Sequence, residues 1–283
     1  MDCAVDESTC AVTAFPMMDP IHNSSIGVLD SGSGGLTIWQ ALTEQLPFES
    51  ITYVGDHAYL PYGAKTTAFI TKRVYGVISF LQRHGAKLIV IACNTATVAG
   101  IDKYRKMFPD IPIVGVVPVI KTATQQSRTK CFAILSTELT AKSAYQKNLI
   151  REYANGFQVF NLYSNILVPL IESGKTEGLT MEVELGRVLA PIKDSRADIV
   201  VLGCTHFPFI RGVCTKILGD DIQVLDSSGA VGRQVRRILE RNNMLSPSHG
   251  HVYTFYTTGD AIAMTRLFSR LLQKSAKVDK IEL

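Results

Sequence analysis

Residues 88–95 read Leu-Ile-Val-Ile-Ala-Cys-Asn-Thr, and residues 199–206 read Ile-Val-Val-Leu-Gly-Cys-Thr-His. Each opens on a run of apolar residues with no polar alternation. Each closes on a small residue, a cysteine, and hydroxyl, amide or imidazole side chains. A strand that is apolar on both faces is covered on both faces, the signature of a parallel sheet in an α/β protein. Working outward, residues 26–29, 51–54, 112–116, 131–135, 222–225 and 252–257 read as further strands. Helical spacing predicts helices over 35–45, 66–84, 94–108, 137–153, from His206 to Leu218, and over 261–272.

The two halves repeat. Residues 26–32 (Ile-Gly-Val-Leu-Asp-Ser-Gly) align with 132–138 (Phe-Ala-Ile-Leu-Ser-Thr-Glu) at nearly the offset that aligns 88–95 with 199–206. Such self-similarity indicates two related units, and 283 residues suit two domains. The expected fold class is α/β: two similar three-layer α/β domains with mostly parallel sheets, related by pseudo-twofold symmetry, with the active site in the cleft between them. The expected boundaries are a small, polar leader over 1–24, a first domain of 25–117 plus 229–283, and a second over 118–228. A hinge is expected near Pro118 and Asp226.

Composition narrows the function. With 46% hydrophobic and 19% charged residues, the chain is core-rich and not disordered. The net charge of +4 is mild and forms no basic stripe, so nucleic-acid binding is not expected. The longest apolar runs, 88–93 and 111–120 (the second interrupted by Pro112 and Pro118), fall well short of the ~20 residues of a membrane span. Asp2, Asp6 and Glu7 precede no apolar segment of the kind a secretory signal needs. The six cysteines, Cys3, Cys10, Cys93, Cys131, Cys204 and Cys214, form no C-x-x-C pair. They argue for reduced thiols and a cytoplasmic protein.

Ligands of open α/β sheets bind beyond the carboxyl ends of strands. Asp30, Ser31, Cys93, Asn94, Thr95, Ser136, Thr137, Cys204, Thr205 and His206 all fall there. A helix start is expected after each of Cys93 and Cys204, where unpaired N–H groups attract an anion and lower a thiol pKa. A single such cysteine is more often a packing residue. Two at equivalent ends of facing domains suggest a pair acting on opposite sides of one substrate. Cys3, Cys10, Cys131 and Cys214 lack such neighbours and read as structural. A metal site of Cys93, Cys204 and His206 has no supporting pattern, so no metal is expected. Ser173-Gly-Lys-Thr176 lacks the leading glycine and strand of a phosphate loop, and Asp30-Ser-Gly-Ser-Gly-Gly35 lacks full dinucleotide spacing. His57, near Tyr62, is placed at the site entrance; His22, His84, His249 and His251 carry no role.

Taken together, these segments resemble the glutamate racemases of the cofactor-independent Asp/Glu racemase superfamily. The resemblance rests on residues 27–36 (Gly-Val-Leu-Asp-Ser-Gly-Ser-Gly-Gly-Leu), Gly55-Asp56, Pro61-Tyr62-Gly63 and Ala92-Cys93-Asn94-Thr95-Ala96. It continues through Gly115-Val-Val-Pro118 and Leu202-Gly-Cys204-Thr205-His206-Phe-Pro208, so it spans residues 26 to about 230. The Cys-Thr-His form is similar to glutamate racemases; aspartate racemases tend to carry Cys-Thr-Glu. The resemblance implies a two-base reaction without cofactor, Cys93 exchanging the proton of D-glutamate and Cys204 that of L-glutamate. It implies that Asp30 and His206 assist the thiols, and that Glu172 is the acidic residue near the second cysteine. It assigns substrate binding to Asp30, Ser31, Pro61, Tyr62, Gly63, Asn94, Thr95, Thr137, Thr140, Thr205 and His206.

The resemblance further implies supply of D-glutamate for peptidoglycan. The leader is similar to that of members activated by a cell-wall precursor, and a homodimer stays open. Two departures stand out: Ser136 where the family often has glycine, and Leu162-Tyr163-Ser164 where it has Cys-Pro. Both are expected away from the cysteines, and they weaken the assignment of Glu172. The alternatives are another racemase, such as one for aspartate, or a non-catalytic two-domain binding protein, which would not need two thiols.

Overall fold

In the computed structural model, which describes residues 24–247 and 250–283, the chain opens with β1 (Ser25–Asp30), α1 (Leu36–Gln45), β2 (Ile51–Gly55), α2 (Thr67–Arg83), β3 (Ala86–Ile91), α3 (Asn94–Met107) and β4 (Ile113–Gly115). It continues with α4 (Ile120–Gln126), β5 (Cys131–Ser136), α5 (Glu138–Lys142), α6 (Ala144–Tyr153), β6 (Gln158–Tyr163), α7 (Leu167–Glu172) and α8 (Leu179–Lys193). Then come β7 (Ile199–Leu202), α9 (Arg211–Leu218), β8 (Gln223–Asp226), α10 (Ser228–Arg241), β9 (Tyr253–Thr257), α11 (Ala261–Leu272) and β10 (Val278–Lys280). The leader with Cys3, Cys10 and His22, and also His249, lies outside the described residues.

Two parallel sheets result. The first runs β10-β9-β2-β1-β3-β4 and the second β6-β5-β7-β8. The order β2-β1-β3-β4 is repeated as β6-β5-β7-β8, so β1 corresponds to β5 and β3 to β7, as the internal alignment predicts. β9 and β10 extend the first sheet beyond β2, which returns the end of the chain to the first unit. β1 and β3 are buried along their whole length, as unalternating Ile, Leu and Val require. Two ionisable side chains lie among them: Asp30, at the end of β1, and Lys87 of β3, which is paired at 2.7 Å with Glu49, both side chains of that pair 2% exposed. The two crossings between sheets are tied where Ser227 Oγ donates to the Val117 carbonyl at 2.7 Å.

The helix predicted over 137–153 breaks. Ser143 adopts an extended conformation, ending α5, and its hydroxyl accepts from Gln146 N–H to cap α6; a serine hydroxyl that satisfies a free N–H competes with helix continuation. β6, α4, α7, α8 and α10 lie outside the elements that the spacing predicts. β6 is a partly exposed edge strand without a continuous apolar run, and α8 carries Pro191 inside it. No helix of the described residues is long and apolar enough to cross a membrane.

Candidate active site

The ends of β1, β3, β5 and β7 face one another across a cavity of about 220 Å³. Cys93, just past β3, is the N-cap of α3: its sulfur accepts from Ala96 N–H at 3.4 Å, and its S–H donates to Ser31 Oγ at 3.6 Å. Cys204, just past β7, lies 3.7 Å from His206 Nδ1. The α-helix expected directly after Cys204 begins only at Arg211. A tight turn and a short 3₁₀ segment over Phe207–Ile210, with Pro208 near its start, intervene. The pair of thiols is thus capped differently, one by a helix and one by an imidazole.

The glycine-rich turn after β1 explains how the two units come this close. A Cβ at Gly32 would lie 2.2 Å from Glu172 Oε1, and one at Gly34 would lie 2.3 Å from His206 Nδ1. These glycines make room for a His–Glu pair from the other unit, a steric role and not a phosphate cradle. His206 Nε2 lies 2.6 Å from Glu172 Oε1, and the same carboxylate accepts from Ser33 N–H at 2.6 Å and Ser33 Oγ at 3.0 Å. Glu172 therefore orients the imidazole, and the family departures upstream do not displace it.

Further contacts cross the cleft. Thr205 Oγ1 donates to Asp30 Oδ2 at 3.0 Å, while Asp30 Oδ1 accepts from Gly32 N–H at 2.7 Å. Thr37 Oγ1 donates to the Thr205 carbonyl at 3.0 Å. Thr95 Oγ1 meets Thr137 Oγ1 at 2.9 Å and Thr140 Oγ1 at 3.3 Å. Within the first unit, Tyr62 donates its hydroxyl to Asp56 at 2.6 Å, and Asp56 is gripped from behind by Arg73 Nε and Nη2 at 3.0 and 2.8 Å.

Burial sets the charges on the Cys93 side. It pushes the Cys93 thiol up to about 12, with the Asp30 carboxylate adding to the shift against the weaker pull of Ala96 N–H and Ser31. The lowering expected from the helix start is outweighed, because desolvation of a thiolate exceeds one N–H contact. Burial likewise raises Asp30 to about 6. On the other side burial alone would push His206 down and Glu172 up. The hydrogen bonds of His206 to Cys204 and Glu172 outweigh this, holding the imidazole well above its ordinary range and Glu172 down at about 2. This is a buried imidazolium–carboxylate pair beside a sulfur.

Of the residues singled out in the sequence, Ser31, Pro61, Tyr62, Gly63, Cys93, Asn94, Thr95, Thr137, Cys204, Thr205 and His206 line the cavity. Asp30, Thr140 and Glu172 stand behind it, each bonded to a lining residue. Five further lining residues are not among the site residues that the sequence singles out: Ala64, Glu138, Ser164, Asn165 and Val168. Ser164 belongs to the departing Leu162-Tyr163-Ser164 stretch, which therefore reaches the cavity of both cysteines and does not lie away from them. The other departure, Ser136, ends β5 beside Thr137 and Gly203. His57 is not at the entrance: its ring is buried behind Ser33. Among the described residues no lysine or arginine lines this cavity. Among the described residues no group of three His, Cys, Asp or Glu side chains is placed to hold a metal ion.

Comparison with known proteins agrees with this geometry. Residues 26–235 match the family model of Asp/Glu/hydantoin racemases. A glutamate racemase of Pseudomonas paraeruginosa is 35% identical over 261 residues, covering 92% of this chain and 98% of the relative. The structure of glutamate racemase from Francisella tularensis in complex with D-glutamate superposes with a TM-score of 0.83 at 30% identity, over 93% of this chain and 98% of the other. That of Escherichia coli glutamate racemase, in complex with L-glutamate and the activator UDP-MurNAc-Ala, gives 0.79 at 30%, over 91% and 98%.

Proposed function

The chain belongs to the Asp/Glu/hydantoin racemase family, and on that premise we propose that it is a glutamate racemase that inverts the α-carbon with two cysteines and no cofactor. The observation that carries this is one cavity holding two thiols, each just past the equivalent strand of a duplicated sheet. Inversion needs an acid and a base on opposite faces of one carbon, each within hydrogen-bond reach of its proton.

From L-glutamate, Cys204 as thiolate takes the α-proton and becomes the thiol. Cys93, a neutral thiol through burial, gives its S–H proton to the opposite face and becomes the thiolate. The reverse reaction runs the same two transfers backwards. The imidazolium of His206 supplies the counter-ion that a thiolate at Cys204 requires, and Glu172 fixes the ring that carries it. The carboxylates of a net anionic substrate meet hydroxyls, the Asn94 amide and the N-terminal turn of α3. Those groups suit carboxylates without an arginine clamp. The negative charge that develops next to the α-carboxylate is stabilised by the same fixed donors.

This reading includes the division of the chain into 25–117 plus 229–283 and 118–228, closing on substrate about the Ser227–Val117 tie. It extends to D-glutamate for peptidoglycan in the cytoplasm, and to activation by a nucleotide-linked cell-wall precursor of the kind in the Escherichia coli complex. The direct test follows each enantiomer of glutamate by circular dichroism with reduced, cofactor-free protein. Loss of optical activity from both at equal final composition is expected. An inert protein, or one that racemises aspartate in preference, would overturn the assignment.

A further inference from the structure

Behind the cavity the carboxylate of Glu172 has a second neighbour that the reaction does not call on. Ser33 Oγ lies 3.0 Å from Glu172 Oε2 and 3.1 Å from His57 Nε2, and Nε2 itself is 3.9 Å from Oε2. The His57 ring is buried, with its other nitrogen, Nδ1, 2.9 Å from Thr257 Oγ1 and 3.1 Å from the Gly55 carbonyl. A seat is built for this ring. A Cβ at Gly55 would lie 2.3 Å from its Cε1, one at Gly259 would lie 2.9 Å from its Cβ, and Phe268 of α11 packs at 5.8 Å.

The donor count makes Ser33 a junction. A carbonyl only accepts, so with Gly55 opposite it Nδ1 carries the proton of the neutral ring, and Nε2 then accepts from Ser33. The Ser33 hydroxyl has one proton and two acceptors, His57 Nε2 and Glu172 Oε2. Its orientation sets how strongly the carboxylate is held, and Glu172 in turn sets His206 at Cys204. The charged groups facing His57 are Glu172, His206 and Asp56. Thr257 and Phe268 belong to the returning C-terminal elements, none of whose residues lines the cavity.

We propose that His57 and Ser33 are positioning residues for the Cys204 base, a relay His57–Ser33–Glu172–His206–Cys204 through which β9 and α11 steady one of the two thiols but not the other. This rests on the racemase reading of the same site. No bond to substrate is involved; the relay acts only through Glu172.

The test uses the full chain with His57→Leu, Ser33→Ala and the double substitution. Enantiomers have equal free energies in solution, so kcat/KM must fall equally in both directions. A drop of roughly tenfold is expected for each single variant, the size of a lost hydrogen bond to a charged group. The double variant should be no worse than the poorer single one. The asymmetry appears in isotope effects with α-deuterated substrate. When proton transfer at Cys204 becomes slower, the effect on kcat/KM rises from L-glutamate and falls from D-glutamate. Isotope effects that stay put or move together, or single losses that multiply in the double variant, overturn the relay. If His57→Leu does not fold, Ser33→Ala alone carries the isotope test. A parent protein that does not racemise removes the reading on which the relay rests; an active parent with unmoved variants removes the relay alone.

Discussion

The walls around Cys93 and Cys204 occupy equivalent places in a duplicated fold, yet their chemistry is opposite. At Cys93 the companions are a helix N-terminus, a serine hydroxyl and, one layer back, the carboxylate of Asp30. Burial and that carboxylate favour the neutral thiol. At Cys204 the companion is an imidazole locked to Glu172 and held protonated. This wall sets a cation beside its sulfur, where the other sets a carboxylate behind. A symmetric reaction thus runs in an asymmetric site, and duplication supplied the placement of the two sulfurs while divergence of their neighbours supplied the different groups that face them.

The largest effect that sharpens this contrast comes from the sulfurs. Cys93→Ser and Cys204→Ser should each lower kcat/KM for racemisation by about 10²–10⁴-fold, the usual weight of a positioned acid or base. Parental rates in either variant would dissolve the pairing. Next is Asp30, whose pKa rises from 3.8 to about 6 on burial. A raised carboxylate stabilises the fold below its unfolded pKa, and that contribution disappears as pH rises through about 6. Asp30→Asn should therefore be more stable than the parent by about 3 kcal/mol at pH 8. The gap should close below pH 4, as read by urea denaturation; a gap that persists at pH 4 contradicts the burial account.

Glu172 behaves in the opposite sense. Its pKa is lowered to about 2, so its contribution is complete above 4.5 and is lost as pH falls toward 2. That of His206, raised, is complete below 6.5 and lost as pH climbs through its folded value. Glu172→Gln should lower kcat/KM by about 10–100-fold and move the alkaline limb of the pH–rate profile to lower pH. An unmoved limb would detach Glu172 from His206. The smallest expected effect is at the hydroxyl knot that both walls share. Thr95→Val should cost about 1 kcal/mol of substrate binding, seen as a higher KM with kcat nearly intact.

The parts of this site legible in the sequence are those in which one short segment does one job. The apolar runs before Cys93 and Cys204 demanded buried parallel strands, and their repetition demanded equivalent positions. Thr95, Thr137 and Thr205 followed because each sits at a strand end. What stayed hidden depends on the fold joining distant segments. Ser33 and Glu172 are 139 residues apart, and His57 reaches Thr257 across 200. Gly32 and Gly34 signal a turn in the sequence; only the structure shows a histidine and a glutamate occupying the space they leave. β6 is not legible in the sequence because an edge strand exposed at both ends lacks a buried apolar run. The Cys93 thiol departs from what its helix start implies because helix-start chemistry is local and desolvation is not.

The claim that two thiols share the work on opposite faces is tested most directly by following early turnover of unlabelled L-glutamate in heavy water. With separate bases, the D-glutamate formed carries one solvent deuterium at its α-carbon while the remaining L-glutamate carries almost none, and starting from D-glutamate gives the mirror result. Deuterium entering the unreacted L-glutamate as fast as D-glutamate appears would mean that one base serves both faces, and would contradict the account.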